Sequence, residues 1–349
     1  MITIKDIANK LGVSISTVSK GLNGASDISE DMRQQVLDTA IELGYRFKGS
    51  KKSMKHKVCI IVENMEYANI NQFGYELITG FRLMASEQDY EVDILPMDLH
   101  MQSKISYDQR MKYDNYSGAF FLGFEMDDVY MKELQDTQIP TVLFDNYVPN
   151  PHVAYVGTDY QIGIKSLVKL LIDCGHRKIA LLNGSKNSYI SNVRSQEFIK
   201  ELDTYGIQVV DEMIGYCYNF LPETAKEVIP TFIQNDATAI ICASDLIAAV
   251  TMNELHRLNI RVPDDISVTG LDDLPLSNYL VPPLTTIRQE RLTLGKLAFS
   301  VLNQLIDGIP VSTSLLHSKL IIRESVKKNR TSLILYVFQS LFFKVILYK

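Results

Sequence analysis

Short apolar runs alternate with amphipathic stretches along most of this chain, and this alternation constrains its fold more than any other feature. Val58-Cys59-Ile60-Ile61-Val62 is uninterrupted in its apolar character, which is typical of a strand buried on both faces, and an amphipathic stretch follows from Phe73 to Ser86. Six further runs predict strands: Glu91 to Leu95, Gly118 to Leu122, Thr141 to Phe144, Lys178 to Leu182, Ala239 to Cys242 and Ser267 to Gly270. Strands separated by helices predict a parallel, doubly wound α/β body.

The number of predicted strands favours two lobes over one large sheet. A fresh helix is predicted after the segment from Val156 to Asp159, where the α/β pattern starts again. In open α/β sheets, ligands bind beyond the carboxyl ends of the strands. We therefore predict a ligand cleft between two Rossmann-like lobes.

The first 45 residues have a different pattern, of three short amphipathic helices. Ile4, Ile7, Ala8 and Leu11 recur at helical spacing behind a capping box formed by Thr3 and Asp6. Ser14 caps a second helix, and a third begins near Ser29 and stops at Gly44. This spacing is typical of a helix-turn-helix, although any small three-helix domain shows a similar periodicity.

Charge is distributed unevenly between this head and the body. Residues 1–57 hold ten Lys and Arg against six Asp and Glu, whereas the remaining residues hold 25 against 35. A basic end on an acidic body is expected when only that end meets a polyanion.

Several classes of protein are excluded by what the sequence lacks. It has no export signal and no apolar stretch long enough to span a membrane, so we expect a cytoplasmic protein. The cysteines Cys59, Cys174, Cys217 and Cys242 are far apart in apolar contexts, so we expect reduced, buried thiols and no metal site. No nucleotide-binding glycine motif, nucleophile elbow or zinc protease motif is found, so we expect neither catalytic residues nor a cofactor.

The amino-acid sequences of many segments closely resemble those of the lactose/galactose repressor (LacI/GalR) family. In the head these segments are Thr3-Ile4-Lys5-Asp6-Ile7-Ala8, Gly12-Val13-Ser14, Ser16-Thr17-Val18-Ser19-Lys20, Leu22-Asn23-Gly24 and Glu42-Leu43-Gly44-Tyr45. In the body they include Gly175-His176-Arg177, Cys242-Ala243-Ser244-Asp245, Gly270-Leu271-Asp272-Asp273 and Pro282-Pro283-Leu284-Thr285-Thr286. The resemblance covers about residues 2–325 and implies a headpiece, a hinge and a body similar to periplasmic sugar-binding proteins.

A transcriptional regulator of this kind inserts its second helix into the major groove. We expect Ile15, Ser16 and Lys20 to reach base edges, with Thr17 and Ser19 beside phosphates. Thr3, Ser14 and Asn23 complete the predicted DNA-contacting set of the headpiece.

The segment after the headpiece matches the family hinge by position. The resemblance implies that Met54 wedges into the minor groove and that Lys51 and Lys52 contact phosphates. A solvated basic linker is the alternative for these lysines. Phe47-Lys48 replaces the usual Pro-Asn, and Lys20 stands where the family has a recognition arginine.

Polar residues after the predicted strands are candidates for an effector site. Asp145, Asp245 and Asp272 each follow a strand, and Phe73 offers an apolar face. The resemblance implies that Arg194 and Asp272 contact the ligand, and that Ser244 replaces an asparagine. Carboxylates and a guanidinium suit a sugar, although an Asp after a strand is more often a helix cap.

These observations predict a DNA-binding repressor of a carbohydrate operon that acts as a homodimer on double-stranded operator DNA. The alternative is a regulator that binds a nucleobase or has a vestigial cleft. The predicted domains are a headpiece (1–46), a hinge (47–57) and a body (58–325), followed by an atypical apolar tail (326–349). Within the body, one lobe comprises about 58–157 and 286–317, and the other comprises about 158–285 and 318–325.

Overall fold

A computed structural model of the chain describes residues 2–23, 25, 27–45, 56–218 and 221–327. The head contains helices α1 (Ile4–Leu11), α2 (Ile15–Asn23) and α3 (Glu30–Glu42). The body helices are α4 (Phe73–Glu87), α5 (Leu99–Lys104), α6 (Tyr107–Tyr113), α7 (Val129–Glu133), α8 (Tyr160–Asp173), α9 (Tyr189–Asp203), α10 (Ala225–Gln234), α11 (Asp245–Arg257) and α12 (Arg291–Ile306). The strands are β1 (Lys57–Val62), β2 (Glu91–Pro96), β3 (Ala119–Leu122), β4 (Thr141–Phe144), β5 (Val153–Asp159), β6 (Ile179–Asn183), β7 (Ile214–Tyr216), β8 (Ala239–Cys242), β9 (Ser267–Asp272), β10 (Thr285–Arg288), β11 (Thr313–His317) and β12 (Lys319–Ile321).

Local capping defines the three helices of the head. The carboxylate of Asp6 accepts hydrogen bonds from the Thr3 backbone N–H at 2.8 Å and the Thr3 hydroxyl at 2.7 Å, which fixes the start of α1. Gly12 ends α1 with a φ of 67°, a left-handed conformation that glycine adopts without strain. The helices pack around a small core of Ile7, Ala8, Val18, Val36, Ala40 and Tyr45.

The first lobe is built on a parallel sheet in the order β11-β5-β4-β3-β1-β2. One face of the sheet is covered by α4 and α12, and the other face by α6 and α7. Apart from Lys57 and Thr141 at their first positions, strands β1, β3 and β4 are apolar, because they are buried on both faces as the sequence predicted for β1.

The second lobe repeats this plan in the order β12-β10-β9-β8-β6-β7, with β12 antiparallel to β10 and the other pairings parallel. Helices α8 and α9 cover one face, and α10 and α11 cover the other. The carboxyl ends of the parallel strands in both lobes lead into the region where the lobes meet.

The chain crosses between the lobes after β5, after β10 and after β11. Residues 286–288 were predicted to belong to the first lobe, but β10 pairs with β9 and so lies in the second. The body also extends beyond residue 325, because Val326 is buried among α8 and α9 side chains. The Lys327 backbone N–H then donates to Ser267 at 3.0 Å, so the predicted tail begins later than residue 326.

Helices α4 and α12 approach each other closely because each carries a glycine at the crossing. A Cβ on Gly80 would lie 2.0 Å from the Leu292 carbonyl oxygen, and one on Gly295 would lie 2.0 Å from the Leu77 oxygen. Neither position has room for a larger residue, so this helix pair can pack against the first sheet only with glycine at both.

None of the four cysteines forms a disulfide bond; Cys59, Cys217 and Cys242 are buried, whereas Cys174 is only partly buried. Burial raises the pKa of Cys217 to about 11, which keeps that thiol protonated and unreactive at neutral pH. Among the described residues, none of the helices is long and apolar enough to cross a membrane.

Candidate DNA interface and effector cleft

Helix α2 exposes the residues that the sequence predicted to face DNA. Ser14 caps the helix, since its hydroxyl accepts the Thr17 backbone N–H at 3.0 Å. Ser14, Ser16 and Lys20 are exposed, and Ile15 keeps 53% of its surface accessible although it is a large apolar residue. A row of exposed side chains on a short, firmly capped helix is the geometry that major-groove recognition requires.

The other predicted contacts of the headpiece differ in their surroundings. Thr17 and Ser19 are partly buried, while Thr3 is exposed and its hydroxyl is used by Asp6. The ammonium group of Lys20 is not free, because it lies 2.5 Å from the carboxylate of Asp27 in the turn after α2. The side chain of Asn23 and the predicted hinge residues Lys51, Lys52 and Met54 lie outside the described residues.

The last residues of the predicted hinge, His56 and Lys57, are fixed firmly to the first lobe. Lys57 forms an ion pair with Asp93 at 2.7 Å and lies over the ring of Tyr116, 4.7 Å from its centroid. The Tyr116 hydroxyl donates to the same Asp93 carboxylate at 2.7 Å, and His56 stacks on Tyr90. These contacts tie the end of the predicted hinge to β1 and β2.

The headpiece also contacts the first lobe through α6. The Tyr113 hydroxyl donates to the Asp38 carboxylate at 2.5 Å and accepts from the Gln34 side-chain amide at 3.0 Å. Both Gln34 and Asp38 lie on α3, so this contact leaves the exposed face of α2 open.

The effector cleft centres on the carboxylate of Asp145, directly after β4. One oxygen, Oδ2, accepts the Tyr160 hydroxyl at 2.6 Å, whereas Oδ1 is closed off from solvent and has no hydrogen-bond partner. Burial raises the pKa of Asp145 to about 6, against the opposing effects of Arg194 and the Tyr160 hydroxyl. A Cβ on Gly157 would lie 2.4 Å from Oδ1, so only glycine leaves room for this carboxylate.

Arg194 lies in the same cleft and is 4% exposed. Its guanidinium group lies 4.3 Å from the centroid of the Tyr160 ring, and its Nε atom is buried without an acceptor. A desolvated guanidinium above an aromatic ring gains on the order of 2 kcal/mol from the ring. An unpaired buried donor costs about 1 to 3 kcal/mol, which a ligand acceptor would recover.

Asp272 joins the cleft from the second lobe. Its Oδ1 accepts the Gln289 amide at 2.8 Å, and the Gln289 oxygen accepts the Thr158 hydroxyl at 2.7 Å. Burial and the neighbouring Asp245 hold the pKa of Asp272 well above its usual range. Gln289 thus connects the second-lobe carboxylate to β5 of the first lobe at one of the crossovers.

Asp245 was predicted to bind the effector, and the structure contradicts this. Its fully buried carboxylate accepts hydrogen bonds from the Ser277 and Thr286 hydroxyls, each at 2.5 Å, and from the Leu274 backbone N–H at 2.7 Å. Three donors satisfy it, so it holds α11 to β10 and offers nothing to a ligand. Ser244 caps α11 by accepting the Ile247 backbone N–H at 3.1 Å, as a residue after a strand often does.

The Phe73 ring forms part of the side of the cleft, where it is packed against other side chains. Its ring packs on Phe144 with centroids 5.7 Å apart, and Arg291 lies 5.8 Å from its centroid. Arg291 is held by an ion pair with Glu76 at 2.7 Å and donates to the Asp272 backbone oxygen, also at 2.7 Å. This arrangement links α4 to the second lobe.

Sequence reasoning missed several residues that complete the cleft. Tyr160 and Gln289 organise its polar groups. Tyr147 and Tyr189 meet from opposite lobes, with their ring planes tilted by 32° and their centroids 6.0 Å apart. A tyrosine or glutamine at the first turn after a strand, the position of Tyr160 and Gln289, was the available signal. The lobes are also joined at this rim by a hydrogen bond from the Met126 backbone N–H to the Asn187 backbone oxygen at 3.1 Å.

A cavity of about 300 Å³ lies on the second-lobe side of that rim, lined in part by Ser185, Asn187, Tyr216 and Glu227. The described part of the chain holds no cluster of acidic, histidine or cysteine side chains suited to a metal ion.

Comparison with known proteins agrees with both halves of this description. The model for bacterial regulatory proteins of the lacI family matches residues 3–47, and the periplasmic binding protein-like domain model matches residues 168–326. The Ribose operon repressor of Halalkalibacterium halodurans is 28% identical over 340 residues, which cover 95% of this chain and 99% of that protein. The transcriptional repressor PurR of Vibrio vulnificus is 28% identical over 334 residues, which cover 94% and 99%.

A solved structure extends the comparison to the fold. The crystal structure of the lac repressor dimer bound to operator and the anti-inducer ONPF has a TM-score of 0.65 and 23% identity, and the match covers 93% of this chain and 98% of that chain. At this identity the likeness shows the fold alone. The chain thus combines a DNA-binding domain of the lacI family of bacterial regulatory proteins with a periplasmic binding protein-like domain, and its full-length relatives are repressors.

Proposed function

We propose that this transcriptional regulator represses a carbohydrate operon and is controlled by a small sugar or sugar derivative bound between its lobes. The observation that carries the proposal is the pair of unsatisfied buried groups in the cleft, Asp145 Oδ1 and Arg194 Nε. One is an acceptor and the other is a donor. Each lowers the stability of the folded protein unless a ligand pairs with it.

A sugar supplies the complementary chemistry. One of its hydroxyls donates to Asp145 while a ring or hydroxyl oxygen accepts from Arg194, and its apolar C–H face packs on Tyr147 or Tyr189 at the rim. Because these residues come from both lobes, a bound ligand stabilises one relative position of the lobes. The free energy that the ligand contributes to that position of the lobes is what controls operator binding.

The DNA half of the proposal rests on the exposed face of α2. We propose a homodimer, as in the solved lac repressor dimer on operator, that places two copies of α2 in successive major grooves about one helical turn apart. Ile15, Ser16 and Lys20 contact base edges, while Lys51, Lys52 and Met54 act at the minor groove through the hinge. The protein binds DNA in the cytoplasm and catalyses no reaction.

A nucleobase effector is the second candidate, because PurR of Vibrio vulnificus matches as well as the ribose repressor does. The paired tyrosines at the rim would stack on a flat base as well as on a sugar ring. Calorimetry with panels of sugars and purines separates the two. Tight purine binding with no heat from any sugar would decide for the nucleobase.

Replacement of Arg194 tests the cleft. We expect Arg194→Ala and Arg194→Lys to lose the response of operator binding to the ligand while both keep operator affinity within about threefold, because the residue lies far along the chain from the headpiece. The lysine variant keeps the charge and removes Nε, so it separates the hydrogen bond from the charge. Operator release is measured by fluorescence anisotropy with a ligand identified by calorimetry.

Arg257→Ala is the matched control, because Arg257 lies exposed at the end of α11 and pairs only locally with Glu254 at 2.6 Å. We expect this variant to respond like the unaltered protein. An Arg194→Ala variant that is still fully released by the ligand would remove Arg194 from the site.

A further inference from the structure

An ion pair lies beside the recognition face of the headpiece. The Lys20 ammonium nitrogen is 2.5 Å from the Asp27 carboxylate, and the two side chains retain 46% and 60% of their exposure. Lys20 is in the last turn of α2, where the Ala25 backbone N–H bonds to the Lys20 carbonyl oxygen at 3.1 Å and turns the chain back on the helix. This turn carries Asp27 toward the lysine.

The pair contributes little to the stability of the headpiece, because exposed ion pairs are screened by water and salt. Its place on the surface gives it a different consequence. Ser16 and Lys20 are four residues apart on α2, so they share a face. The negative charge of Asp27 therefore lies next to the surface that is proposed to approach DNA. It is paired with the Lys20 ammonium group, the cation that is expected to reach the bases.

We propose that Asp27 is a specificity-determining residue of the DNA interface, because it restrains Lys20 and withholds its charge from duplexes that lack the correct bases. The inference rests on the proposed recognition of DNA by α2. On non-specific DNA only phosphate contacts act, and there the carboxylate competes with the phosphates for the Lys20 ammonium group. At the correct site Lys20 donates to base acceptors, and Asp27 can accept from an exposed amino group of cytosine or adenine.

The charge of Asp27 persists under the conditions in which DNA is bound. The hydrogen bond from Lys20 lowers the pKa of the Asp27 carboxyl group, so the group is ionised at neutral pH. Three other described acids of the headpiece are engaged elsewhere: Asp6 by Thr3, Asp38 by Tyr113 and Glu42 by Lys10. Of these pairs, only Lys20 with Asp27 involves a residue of the exposed α2 face.

The test compares Asp27→Asn with Glu42→Gln in the full-length protein. Glu42 forms an equally short ion pair with Lys10, at 2.5 Å between α1 and the end of α3, so both variants lose one negative charge and one ion pair of the headpiece. Affinity is measured by fluorescence anisotropy, at several salt concentrations, for a random-sequence duplex and for the duplex most enriched by the unaltered protein from fragments of its source genome.

We expect Asp27→Asn to bind the random duplex about three- to tenfold more tightly, with the slope of log K against log salt steeper by about 0.9, as for one added phosphate contact. Affinity for the enriched duplex should change less than twofold, so the specificity ratio falls. Glu42→Gln should change both affinities less than twofold. In a Lys20→Ala background, Asp27→Asn should gain no more than Glu42→Gln does.

Equal effects of Asp27→Asn and Glu42→Gln would overturn the proposal, as would a gain that survives in the Lys20→Ala background. An unaltered protein that enriches no duplex would overturn the recognition of DNA by α2. The random-duplex comparison would still show whether Asp27 withholds the Lys20 charge.

Discussion

At the scale of single residues, the behaviour of the cleft depends on how a carboxylate is buried. Asp145 keeps one oxygen for Tyr160 and leaves the other without a partner, in a position that only glycine at residue 157 allows. Desolvation disfavours its ionised form, so its pKa of about 6 lies within reach of physiological pH. A ligand hydroxyl that donates to Oδ1 binds the ionised form and therefore competes with the proton.

The first prediction is a loss of ligand affinity on acidification. Above pH 6 Asp145 is ionised and accepts from the ligand, and below pH 6 its protonation removes that acceptor. We expect affinity to fall about tenfold from pH 7.5 to pH 5, measured by calorimetry. Asp145→Asn should bind about tenfold more weakly at pH 7.5, which is the loss of one charged hydrogen bond, and should lose most of the pH dependence. Unchanged affinity at pH 5 in the unaltered protein would contradict this.

The same scale shows where prediction of the site from sequence reaches its limit. Asp145 and Asp245 look alike in the sequence, because each follows an apolar strand. They differ in their hydrogen-bond donors, because the Ser277 and Thr286 hydroxyls and the Leu274 backbone N–H, all distant in sequence, satisfy the Asp245 carboxylate. Arg194 and Asp272 were predicted to bind the ligand because of the family resemblance, whereas no sequence motif identifies Tyr160 and Gln289. Which oxygen stays unpaired is decided by tertiary contacts that no local pattern contains.

At the scale of elements, α4 and α12 form the tightest packing in the first lobe. Their backbones meet at Gly80 and Gly295, and the pair covers one face of the first sheet. Close backbone approach excludes even a methyl group, so a substitution must push the helices apart. Because the chain returns to the second lobe through β11 and β12 directly after α12, this packing also fixes a crossover.

The second prediction follows from that contact. Gly295→Ala should destabilise the protein by about 1 to 3 kcal/mol through overpacking, despite the better helix propensity of alanine. Ser300→Ala is the control, because Ser300 lies partly exposed on the same helix. Urea unfolding followed by circular dichroism measures both. A Gly295→Ala variant at least as stable as the unaltered protein would show that the helices can separate without cost.

All seven predicted strands are present, and all but the edge strand β2 are almost wholly buried. Five strands were not predicted. Of these, β7, β11 and β12 lie at sheet edges and are largely half-exposed or exposed, whereas β5 and β10 are buried inside their sheets. Residues 286–288 of β10 were placed in the wrong lobe because pairing with β9, and not the order of the chain, decides their sheet.

At the scale of the whole molecule, the cleft and the headpiece are joined by more than the hinge. Tyr107 at the start of α6 is fully buried and its hydroxyl lies 2.6 Å from that of Thr141, the first residue of β4. The other end of β4 leads to Asp145 in the cleft, and the other end of α6 carries Tyr113 to α3 of the headpiece. A rigid strand and helix thus connect the ligand to the DNA-binding unit.

The third prediction tests this second connection. Tyr113→Phe removes the hydroxyl that bridges Gln34 and Asp38. We expect ligand affinity to stay within twofold, while the ligand-induced change in operator affinity shrinks at least threefold, within the usual 1 to 3 kcal/mol of allosteric coupling. Tyr205→Phe is the control, since Tyr205 is exposed on the second lobe. Full coupling in Tyr113→Phe would assign the signal to the hinge alone.

The central claim is that the exposed face of α2 recognises DNA under control of the cleft. It is tested most directly by titrating the purified protein against its most enriched genomic duplex and against random duplex at moderate salt, with and without the ligand found by calorimetry. We expect the affinity for the enriched duplex to be about a thousandfold or more above the affinity for the random duplex. We also expect the ligand to change the affinity for the enriched duplex at least fivefold. Equal affinity for both duplexes in every condition would contradict it.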